Sequence, residues 1–410
     1  MQKILSGTVV LDLTRFFSGP QATLLLAGLG AEVIKIDDPK TGDPTAFSPP
    51  FAGLKGVSFF RQTQDDMGIA YLKRARGKKS VTLDLKSSEG KQLFMKLVES
   101  ADVVIDNFSA GVADRLGIDY ASLSAVNPNI IYCSLTGYGS TGADRDLKAY
   151  DLMVQAGVGL MSLTGHADSE PVKAGSPLSD AISGVFAAYG IVAALFHRQR
   201  TGQGQSIDVS MADCLFALMF DEPVDCYMQL GLEHRQGNRI MRFSPFNSYR
   251  TKDGFIALGA ATNAEWKTLL GVMAREDLLN DGNMMNLGWR IAHNREVDQV
   301  VSEWTGTRAT EELRTLLNEL KIPNSPVRTI ADVMTWQQLY DRDMIQPLWN
   351  PMAQTEVLAK GPGYPVKFSN TKAIYDSPAP RPGEHSREIL RRLVDLSDEE
   401  IDLLEAKGIT

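Results

Sequence analysis

Short β-branched segments alternate with helical segments over the first half of the chain. Thr8–Thr14 (TVVLDLT) is short and rich in β-branched residues, as expected for a buried strand. An apolar helical stretch, Gln21–Leu29, follows the helix-start pair Gly19-Pro20, and Ala31–Asp37 (AEVIKID) is the next strand. This unit constrains the fold strongly, because parallel neighbouring strands need a crossover connection, which the helix supplies.

The alternation continues to about residue 215. Further strands are predicted at Ser80–Leu85, Val103–Asn107, Ile130–Leu135 and Ser206–Ser210, and further helices at Ser88–Ser100 and Ala181–Arg198. The pattern predicts an open, doubly wound α/β domain built on a parallel sheet.

After residue 220 the pattern changes to that of a smaller mixed α+β domain. A short strand, Phe255–Gly259, precedes helical stretches near Glu265–Arg275, Arg295–Thr305 and Glu311–Leu320. The segment Ile345–Pro380 carries six prolines and is predicted to be rich in loops, while Ser386–Glu405 is predicted to be helical. We therefore predict a large α/β domain over 1–220, a small α+β domain over 221–330, and a linker and C-terminal segment over 331–410 that returns to the large domain.

The bulk composition excludes several classes of partner. The 410 residues carry a net charge of −8, with a pI of about 5.3, which argues against nucleic acid and anionic membrane surfaces. Three widely spaced cysteines suit no disulfide framework, and the histidines lack metal-ligand spacing, so no metal site is predicted. The N-terminal segment lacks the features of a signal peptide, and the apolar run Val185–Phe196 is shorter than the ~20 residues that span a bilayer. We expect a soluble, cytoplasmic protein.

Asp180 is the first candidate for chemistry, because it directly precedes the long apolar helix. One interpretation is a carboxylate in the first helical turn, which stabilises a helix by ~1 kcal/mol. The other is a nucleophile that attacks a thioester and holds the acyl group as a mixed anhydride. The residues alone favour the first interpretation. Likewise, the basic run Lys73–Lys79 is either a solvated face or, with Arg115, a phosphate site.

Ten segments, taken in order, resemble the class III CoA-transferase family, which includes the formyl-CoA and carnitine CoA-transferases (CaiB/BaiF type). Each segment alone is a weak signal, but their order and spacing over nearly the whole chain are specific. The segments are LDLTRFFSGP (11–20), GAEVIKIDDPKTGDPT (30–45), KKSVTLDLKSSEGKQLF (78–94), ADVVIDNFSAGVADRLGIDY (101–120), SLTGYGSTG (134–142), AYDLMVQAGVGLMSLTG (149–165), SDAISGVFAAYG (179–190), RTGQGQSIDVSM (200–211), PVKFS (365–369) and PRPGEHSREIL (380–390).

The resemblance implies both a mechanism and an architecture. The family's nucleophilic aspartate matches Asp180, which would carry an acyl group as an anhydride and then CoA as a thioester. Acyl-CoA would be a substrate, and no cofactor would be permanently bound. The fold would be a Rossmann-like large domain formed by both chain ends, with a small α+β domain between them. Two such chains would interlock as a homodimer.

The resemblance also implies positions that line the acyl and pantetheine site. It places Phe16, Phe17 and Ser18 directly after the first strand, along the acyl and pantetheine groups. It places Lys148 and Tyr150 near the CoA tail and the active site.

Other positions are implied for the rest of CoA. Asn107 and Phe108 match the family's pantetheine-contacting pair, Arg115 matches its phosphate-contacting arginine, and Lys78 falls on a basic position near the nucleotide. Asp38 departs from the pattern, because some members have a basic residue there, which weakens any nucleotide contact at this position.

Two further departures concern the acyl group. Formyl-CoA transferases close a run of glycines over the active site, whereas Gly259–Ala264 here contains one glycine, which implies a stiffer loop and disfavours formate and oxalate. The stretch 46–71 is longer than in compact members and is a candidate for shaping the acyl pocket. Three arginines, Arg15, Arg239 and Arg242, are candidates for a second carboxylate, as in succinate, or are structural.

Three alternatives stay open at this point. Racemases of the same superfamily have a His-Asp pair where this chain has Tyr150-Asp151, so one of two acid/base groups would be missing. Intramolecular migration of CoA within one diacid would use the same aspartate. A non-catalytic chain of a hetero-oligomer of related subunits would be expected to lack Asp180, which is present.

Overall fold

The computed structural model describes residues 3–410, which form two compact units. The large unit contains the chain up to Val158, together with Gly175–Glu222 and Gln337–Thr410. The small unit contains Gly159–Ala174 and Pro223–Trp336. Residues 159–174, which the predicted boundaries assign to the large domain, therefore group with the small unit.

The strands and helices are named in chain order. The strands are β1 (Val9–Asp12), β2 (Glu32–Asp37), β3 (Phe51–Gly53), β4 (Gly56–Ser58), β5 (Met67–Gly68), β6 (Lys78–Thr82), β7 (Val103–Asp106), β8 (Ile131–Thr136), β9 (Gln205–Ser210), β10 (Phe246–Arg250), β11 (Phe255–Gly259), β12 (Asn324–Pro326), β13 (Ile345–Asn350) and β14 (Thr355–Pro362). The α-helices are α1 (Ser18–Gly28), α2 (Ile69–Arg74), α3 (Ser88–Glu99), α4 (Val112–Leu116), α5 (Tyr120–Val126), α6 (Asp151–Gly157), α7 (Leu160–Leu163), α8 (Leu178–Thr201), α9 (Met211–Met219), α10 (Asn263–Val272), α11 (Glu276–Leu279), α12 (Leu287–Ala292), α13 (Asn294–Thr305), α14 (Thr310–Glu319), α15 (Ile330–Met334), α16 (Gln337–Asp341), α17 (Ser386–Val394) and α18 (Asp398–Ala406).

Over residues 3–410, the large unit is organised by a six-stranded parallel sheet with the order β6-β2-β1-β7-β8-β9. This order confirms the predicted Rossmann-like α/β fold, in which strand order reverses at a switch point, here between β1 and β7. Strand β1 is central: Val10 and Leu11 are fully buried. The same core includes Ile389 and Leu390 from α17, so the end of the chain packs beside its beginning.

Two parts of the large unit differ from the prediction. The proline-rich stretch predicted as loop contains the antiparallel hairpin β13–β14, because Leu348 and Val357 are buried against a separate core cluster with Ala52 and Tyr71. The predicted C-terminal helix is two helices, because Asp395 adopts a left-handed conformation that ends α17. The stretch 46–71, for which no fold was predicted, contains the small antiparallel sheet β4-β3-β5 and the start of α2.

Helix α8 is the longest element of the large unit, at 24 residues. By length and composition alone it could cross a membrane. One of its faces, however, is buried against α1, β8 and β9 and includes Gly184, Ala187 and Ile191, so α8 serves as a core helix of this unit. Its opposite face is apolar and exposed, since Val185 is 52% and Tyr189 is 71% exposed.

The small unit packs helices α10, α13 and α14 around the antiparallel sheet β10-β11-β12, with Trp266 and Val297 fully buried in its core. The segment Gly259–Ala264 joins β11 to α10. Thr262 and Glu265 in this region form a reciprocal capping box at the start of α10, which satisfies two main-chain donors.

Candidate active site at the switch point of the parallel sheet

The loops that leave β1 and β7 meet at the switch point of the sheet. The Arg15 main-chain N–H donates to Asn107 Oδ1 at 2.9 Å, and Asn107 Nδ2 donates to the Arg15 carbonyl at 2.7 Å. Asn107 therefore ties the two loops together. The next residue, Phe108, donates its main-chain N–H to Asp106 Oδ1 at 3.0 Å. In open α/β sheets, ligands bind in the crevice at this place, outside the carboxyl ends of the strands.

The loop after β1 is held in a strained conformation with an aromatic side chain facing solvent. Phe16 has φ of +68°, a left-handed conformation that costs a non-glycine residue about 1 kcal/mol or more, and its side chain is 47% exposed. The Arg74 guanidinium, at the end of α2, donates to the Phe16 carbonyl and lies over the Phe17 ring, 4.1 Å from its centroid. Arg74 thus fixes the loop from a neighbouring element.

The start of α1 lies directly against α8. Ser18 is buried, and a Cβ built on Gly184 would lie 2.6 Å from the Ser18 carbonyl oxygen. Only glycine allows this approach, which brings the loop after β1 beside the first turns of α8.

The N-terminus of α8 is capped by a carboxylate from another helix. Pro177, the residue before α8, offers no side-chain cap. Instead, Asp151 Oδ1 accepts hydrogen bonds from the Ser179 main-chain N–H at 2.9 Å and from Ser179 Oγ at 2.7 Å. The fully buried Gln155 donates Nε2 to Asp151 Oδ2 at 2.7 Å, which holds the carboxylate in place. Asp151 therefore stands beside Asp180, whose main-chain N–H lies 3.5 Å from the same oxygen.

Asp180 is half-buried in the first turn of α8. Burial raises the pKa of its carboxyl group, the negative charge of Asp151 raises it further, and the positive charge of Arg74 lowers it, with a result of about 6. At neutral pH the group is mainly ionised, yet it is more basic than an ordinary aspartate. A carboxylate of this kind is suited to act as a nucleophile.

Tyr150 completes the exposed side of this region. It is the residue before α6 and is 65% exposed, and its ring meets the Phe16 ring edge-on, with centroids 6.4 Å apart. Lys148 is also exposed, and over residues 3–410 its side chain has no hydrogen-bond or ion-pair partner. The structure thus brings Phe16, Phe17 and Tyr150 together near Asp180.

Lys78 has a different role from the nucleotide contact that the resemblance implies. Its side chain is buried, and its ammonium group donates to Thr23 Oγ1 at 2.6 Å, to Asp12 Oδ2 at 3.1 Å and to the Pro20 carbonyl at 3.1 Å. An ammonium group has three donors, and all three are used inside the protein. Although β6 is an edge strand, Lys78 itself is buried, so it supports the start of α1 and has no donor left for CoA.

Arg115 lies in a separate cleft, on helix α4. The side chain is exposed and lines a cleft of about 860 Å³ together with Lys86, Lys91 and Lys96. Phe108 lines a different cavity, of about 480 Å³, with Asp106. The basic cleft is suited to a phosphorylated group, since several cationic side chains converge on it.

Two site residues escaped prediction from the sequence. Gln155 and Asp151 have the i, i+4 spacing of neighbours on a helix, which the sequence shows. The residue that Asp151 caps, however, is 28 positions further along the chain, which the sequence does not show. Arg74 lies in a basic run whose members look alike in sequence, and only the fold separates it from Lys78. Over residues 3–410, no group of three or more His, Cys, Asp or Glu side chains is arranged to hold a metal ion.

Comparisons with known proteins give the chain its relatives. A family model described as CoA-transferase family III matches residues 5–386. The chain is 34% identical to a succinate–glutarate CoA-transferase of Agrobacterium fabrum over 391 residues, 95% of either protein. It is 35% identical to a succinyl-CoA:mesaconate CoA-transferase of Haloarcula hispanica, over 93% of this chain and 94% of the relative. A crystal structure of a CaiB/BaiF family protein from Brucella suis superimposes with a TM-score of 0.81 at 31% identity, over 96% of this chain and all of that one.

Proposed function

This chain belongs to CoA-transferase family III and is a CoA-transferase, and from that membership we propose that it moves CoA between short dicarboxylic acids through covalent intermediates on Asp180. The relatives named above act on succinate, glutarate or mesaconate by name, and each of these acids has two carboxyl groups. The coarse activity thus follows from the family, and the diacid class from these relatives.

The first half of the proposed cycle loads CoA onto the enzyme. The Asp180 carboxylate attacks the thioester carbonyl of the donor acyl-CoA, the C–S bond breaks, and a mixed anhydride and a free CoA thiolate result. The thiolate then attacks the Asp180 carbonyl of the anhydride. The donor acid leaves as a carboxylate, and an aspartyl-CoA thioester remains.

The second half reverses these steps with the acceptor. The acceptor carboxylate attacks the aspartyl-CoA thioester, which forms a new mixed anhydride and releases the thiolate. The thiolate attacks the carbonyl of the acceptor, which leaves as its CoA thioester, and Asp180 returns as a carboxylate. No net proton, electron or phosphate is consumed, so the reaction needs no ATP.

The observation that carries the proposal is the environment of Asp180. A half-buried carboxylate beside a second carboxylate, with a pKa of about 6, is mainly ionised at neutral pH and more basic than an ordinary aspartate, which suits a nucleophile. The alternative role, a first-turn helix carboxylate, does not require this neighbour, since Asp151 already caps α8.

The CoA site is proposed to extend from Asp180 along the switch point. Phe16, Phe17 and Tyr150 would contact the acyl and pantetheine groups, since they form the exposed aromatic side of the site. Asn107 and Phe108 would contact pantetheine at the carboxyl end of β7.

The remaining CoA-binding positions are also proposals. Ser18 is buried at the start of α1, so its main chain rather than its hydroxyl is available to line the pocket. The exposed Lys148 would reach the CoA tail, and Arg115 would bind a phosphate group in its basic cleft.

A panel of acyl-CoA donors and free acids tests this function directly. The protein is incubated with succinyl-CoA and, in turn, glutarate, mesaconate, malate, formate, oxalate and monocarboxylates, and new thioesters are read by mass. We expect transfer to short diacids and little to formate. Isomerised donor without any new thioester would instead favour the racemase alternative. Label exchange within a single diacid-CoA would identify intramolecular migration.

We also propose that two copies of the chain associate, as interlocked homodimers of the family do. Val185 and Tyr189 of α8 are exposed, as are Phe216 and Leu218 of α9, a helix that packs against α8. Exposed apolar surface of this kind is typical of an interface. Light scattering with the purified chain should give twice its mass of 44.9 kDa. A stable, active monomer would contradict the proposal, and activity only with a second, related chain would identify a hetero-oligomer.

A further inference from the structure

The Arg74 guanidinium is a half-buried cation with donors to spare. One Nη1 donor serves the Phe16 carbonyl, and the plane of the group lies over the Phe17 ring. Over residues 3–410, no carboxylate lies within ion-pair distance of it, and its remaining donors have no acceptor in the chain. A guanidinium carries five N–H donors, and no nitrogen of Arg74 is a fully buried atom without a partner, so its free donors are accessible to a ligand.

Several arginines of comparable or greater burial have partners within the protein. Arg290, which is fully buried, donates to two main-chain carbonyls and to Asn263 Oδ1. Arg198 pairs with Asp102 at 2.6 Å, and Arg239 pairs with Asp298 at 2.7 Å. The contrast indicates that the donors of Arg74 serve an anion from outside the chain, as buried charges are stabilised by pairing.

The position of Arg74 identifies which part of the substrate this anion belongs to. Arg74 holds the same loop whose Phe16 ring contacts Tyr150, and Tyr150 directly precedes Asp151. The positive charge of Arg74 also lowers the pKa of Asp180, whereas the negative charge of Asp151 raises it. The guanidinium therefore lies at the acyl end of the proposed site, next to the reacting carboxylate but not paired with it.

The charges of the site indicate which carboxylate of a diacid would need Arg74. Asp180 and Asp151 together repel a dianionic acid, so a diacid needs a cation nearby. The reacting carboxylate of the substrate loses its charge when it becomes an anhydride or a thioester, whereas the second carboxylate stays ionised throughout the cycle. A guanidinium is permanently charged and matches a carboxylate with two parallel hydrogen bonds.

We propose that Arg74 binds the second, non-reacting carboxylate of the dicarboxylic substrate and so selects diacids over monoacids. This inference rests on the proposed function and deepens it. Of the arginines that the sequence suggested for this role, Arg239 is committed to Asp298.

The test compares acids of equal chain length. Transfer from succinyl-CoA to glutarate and to valerate is measured with the natural chain and with Arg74→Met, which keeps most of the side-chain volume without the charge. We expect kcat/KM for glutarate to fall by about 10- to 150-fold, the range for one charge-assisted hydrogen-bonded pair, and kcat/KM for valerate to change little. Arg74→Lys keeps the charge but loses the planar, two-pronged guanidinium, so its kcat/KM for glutarate should lie between those of the natural chain and Arg74→Met.

A matched control and a binding measurement isolate the role. Arg328 is also half-buried and lies over an aromatic ring, Trp336, at 4.3 Å, but it belongs to the small unit, and Arg328→Met should leave the glutarate-to-valerate ratio unchanged. Equal losses for both acids in Arg74→Met would overturn the proposal and leave Arg74 as a support for the loop.

Calorimetric titration of glutarate into the natural chain and into Arg74→Met separates this inference from the function on which it rests. Glutarate binding that depends on Arg74, in a protein that forms no new thioester, would refute the proposed transfer but support the carboxylate site. Transfer to glutarate, with glutarate binding unchanged in Arg74→Met, would support the proposed transfer and refute the carboxylate site.

Discussion

Two clusters in the large unit both combine aspartates with cationic side chains, but they differ in whether their charged groups have partners within the protein. The buried cluster consists of Asp12, Lys35, Asp43 and Lys78. Lys35 donates to the Thr14 carbonyl at 2.7 Å and pairs with Asp43 at 3.0 Å. Burial alone would raise the pKa of Asp12, but the ammonium groups of Lys78 and Lys35 hold it below its usual value. The cluster therefore serves to fix the loop between β1 and α1.

The open cluster consists of Arg74, Asp151 and Asp180. Asp151 has partners within the chain, but over residues 3–410 the carboxylate of Asp180 and most donors of Arg74 have no hydrogen-bond partner. Residue type therefore does not separate a structural charge from a functional one. Arg74 and Lys78 are four positions apart in the same basic run, and the hydrogen-bond partners decide which of them is left for a ligand.

The largest expected effect is that of Asp180→Asn. If Asp180 is the nucleophile, transfer should fall by about 10⁴-fold or more, since an amide cannot form the anhydride. The free energy of unfolding should change by about 1 kcal/mol or less, because Asp151 still caps α8. Transfer is measured by thioester formation, and stability by urea unfolding.

Asp213→Asn is the matched control for Asp180→Asn. Asp213 is an exposed carboxylate in the first turn of α9, where Ser210 supplies the cap. It should lose neither activity nor more than a few tenths of a kcal/mol of stability. Near-normal turnover in Asp180→Asn would mean that Asp180, like Asp213, is only a first-turn helix carboxylate. The proposed difference between the two clusters would then be wrong.

Lys78→Met should act on stability and not on CoA. Removing Lys78 leaves the buried Asp12 without its direct ion-pair partner, and such changes destabilise proteins by about 3–5 kcal/mol. The Michaelis constant for acyl-CoA, measured below the unfolding transition, should stay within about twofold, since Lys78 has no free donor. A raised Michaelis constant with unchanged stability would instead indicate that Lys78 contacts the nucleotide. Lys78 would then be a ligand-binding charge, as Arg74 is proposed to be.

Asp151→Asn should change the pH dependence of transfer. Asp180 must be ionised to attack, so kcat/KM should fall as the pH drops through about 6 in the natural chain. The substitution removes a neighbouring negative charge, which lowers the pKa of Asp180 and moves this acidic limb to lower pH. An unmoved limb would show that another group controls it, and a loss of stability above about 2 kcal/mol would make Asp151 chiefly a cap.

The smallest expected effect is that of Arg115→Ala. Arg115 is exposed and lies in a separate basic cleft, so its phosphate contact would be partly screened by solvent. The Michaelis constant for acyl-CoA should rise by about 3- to 10-fold, with a smaller change in kcat. An unchanged constant at low ionic strength would remove Arg115 from the CoA site.

The order of elements in the large unit could be predicted because strands and helices differ in the periodicity of their apolar residues. Thr8–Thr14 and Ala31–Asp37 contain β1 and β2, which lie within a residue or two of the predicted bounds. The β13–β14 hairpin was missed, because prolines in the sequence indicate loops while the burial of Leu348 and Val357 depends on partners almost 300 residues earlier. Local patterns contain no information on such contacts.

The candidate site shows the same limit. Asp180 could be selected by resemblance, and Phe16, Phe17 and Tyr150 were placed with it. The resemblance puts Lys78 near the nucleotide, whereas in the fold its partner is Asp12, which is 66 residues away and meets it through the pairing of β1, β2 and β6. Arg74 was missed for the converse reason, since a lack of partners becomes visible only when the whole chain is folded.

The central claim, that Asp180 carries CoA, is tested most directly by peptide mass. The protein is incubated with succinyl-CoA without an acceptor, quenched in acid and digested, and the peptide that contains Asp180 is examined before and after glutarate is added. We expect a CoA thioester on Asp180 that glutarate discharges as glutaryl-CoA. Full turnover with no adduct on Asp180, or with an adduct on another residue, would contradict the mechanism.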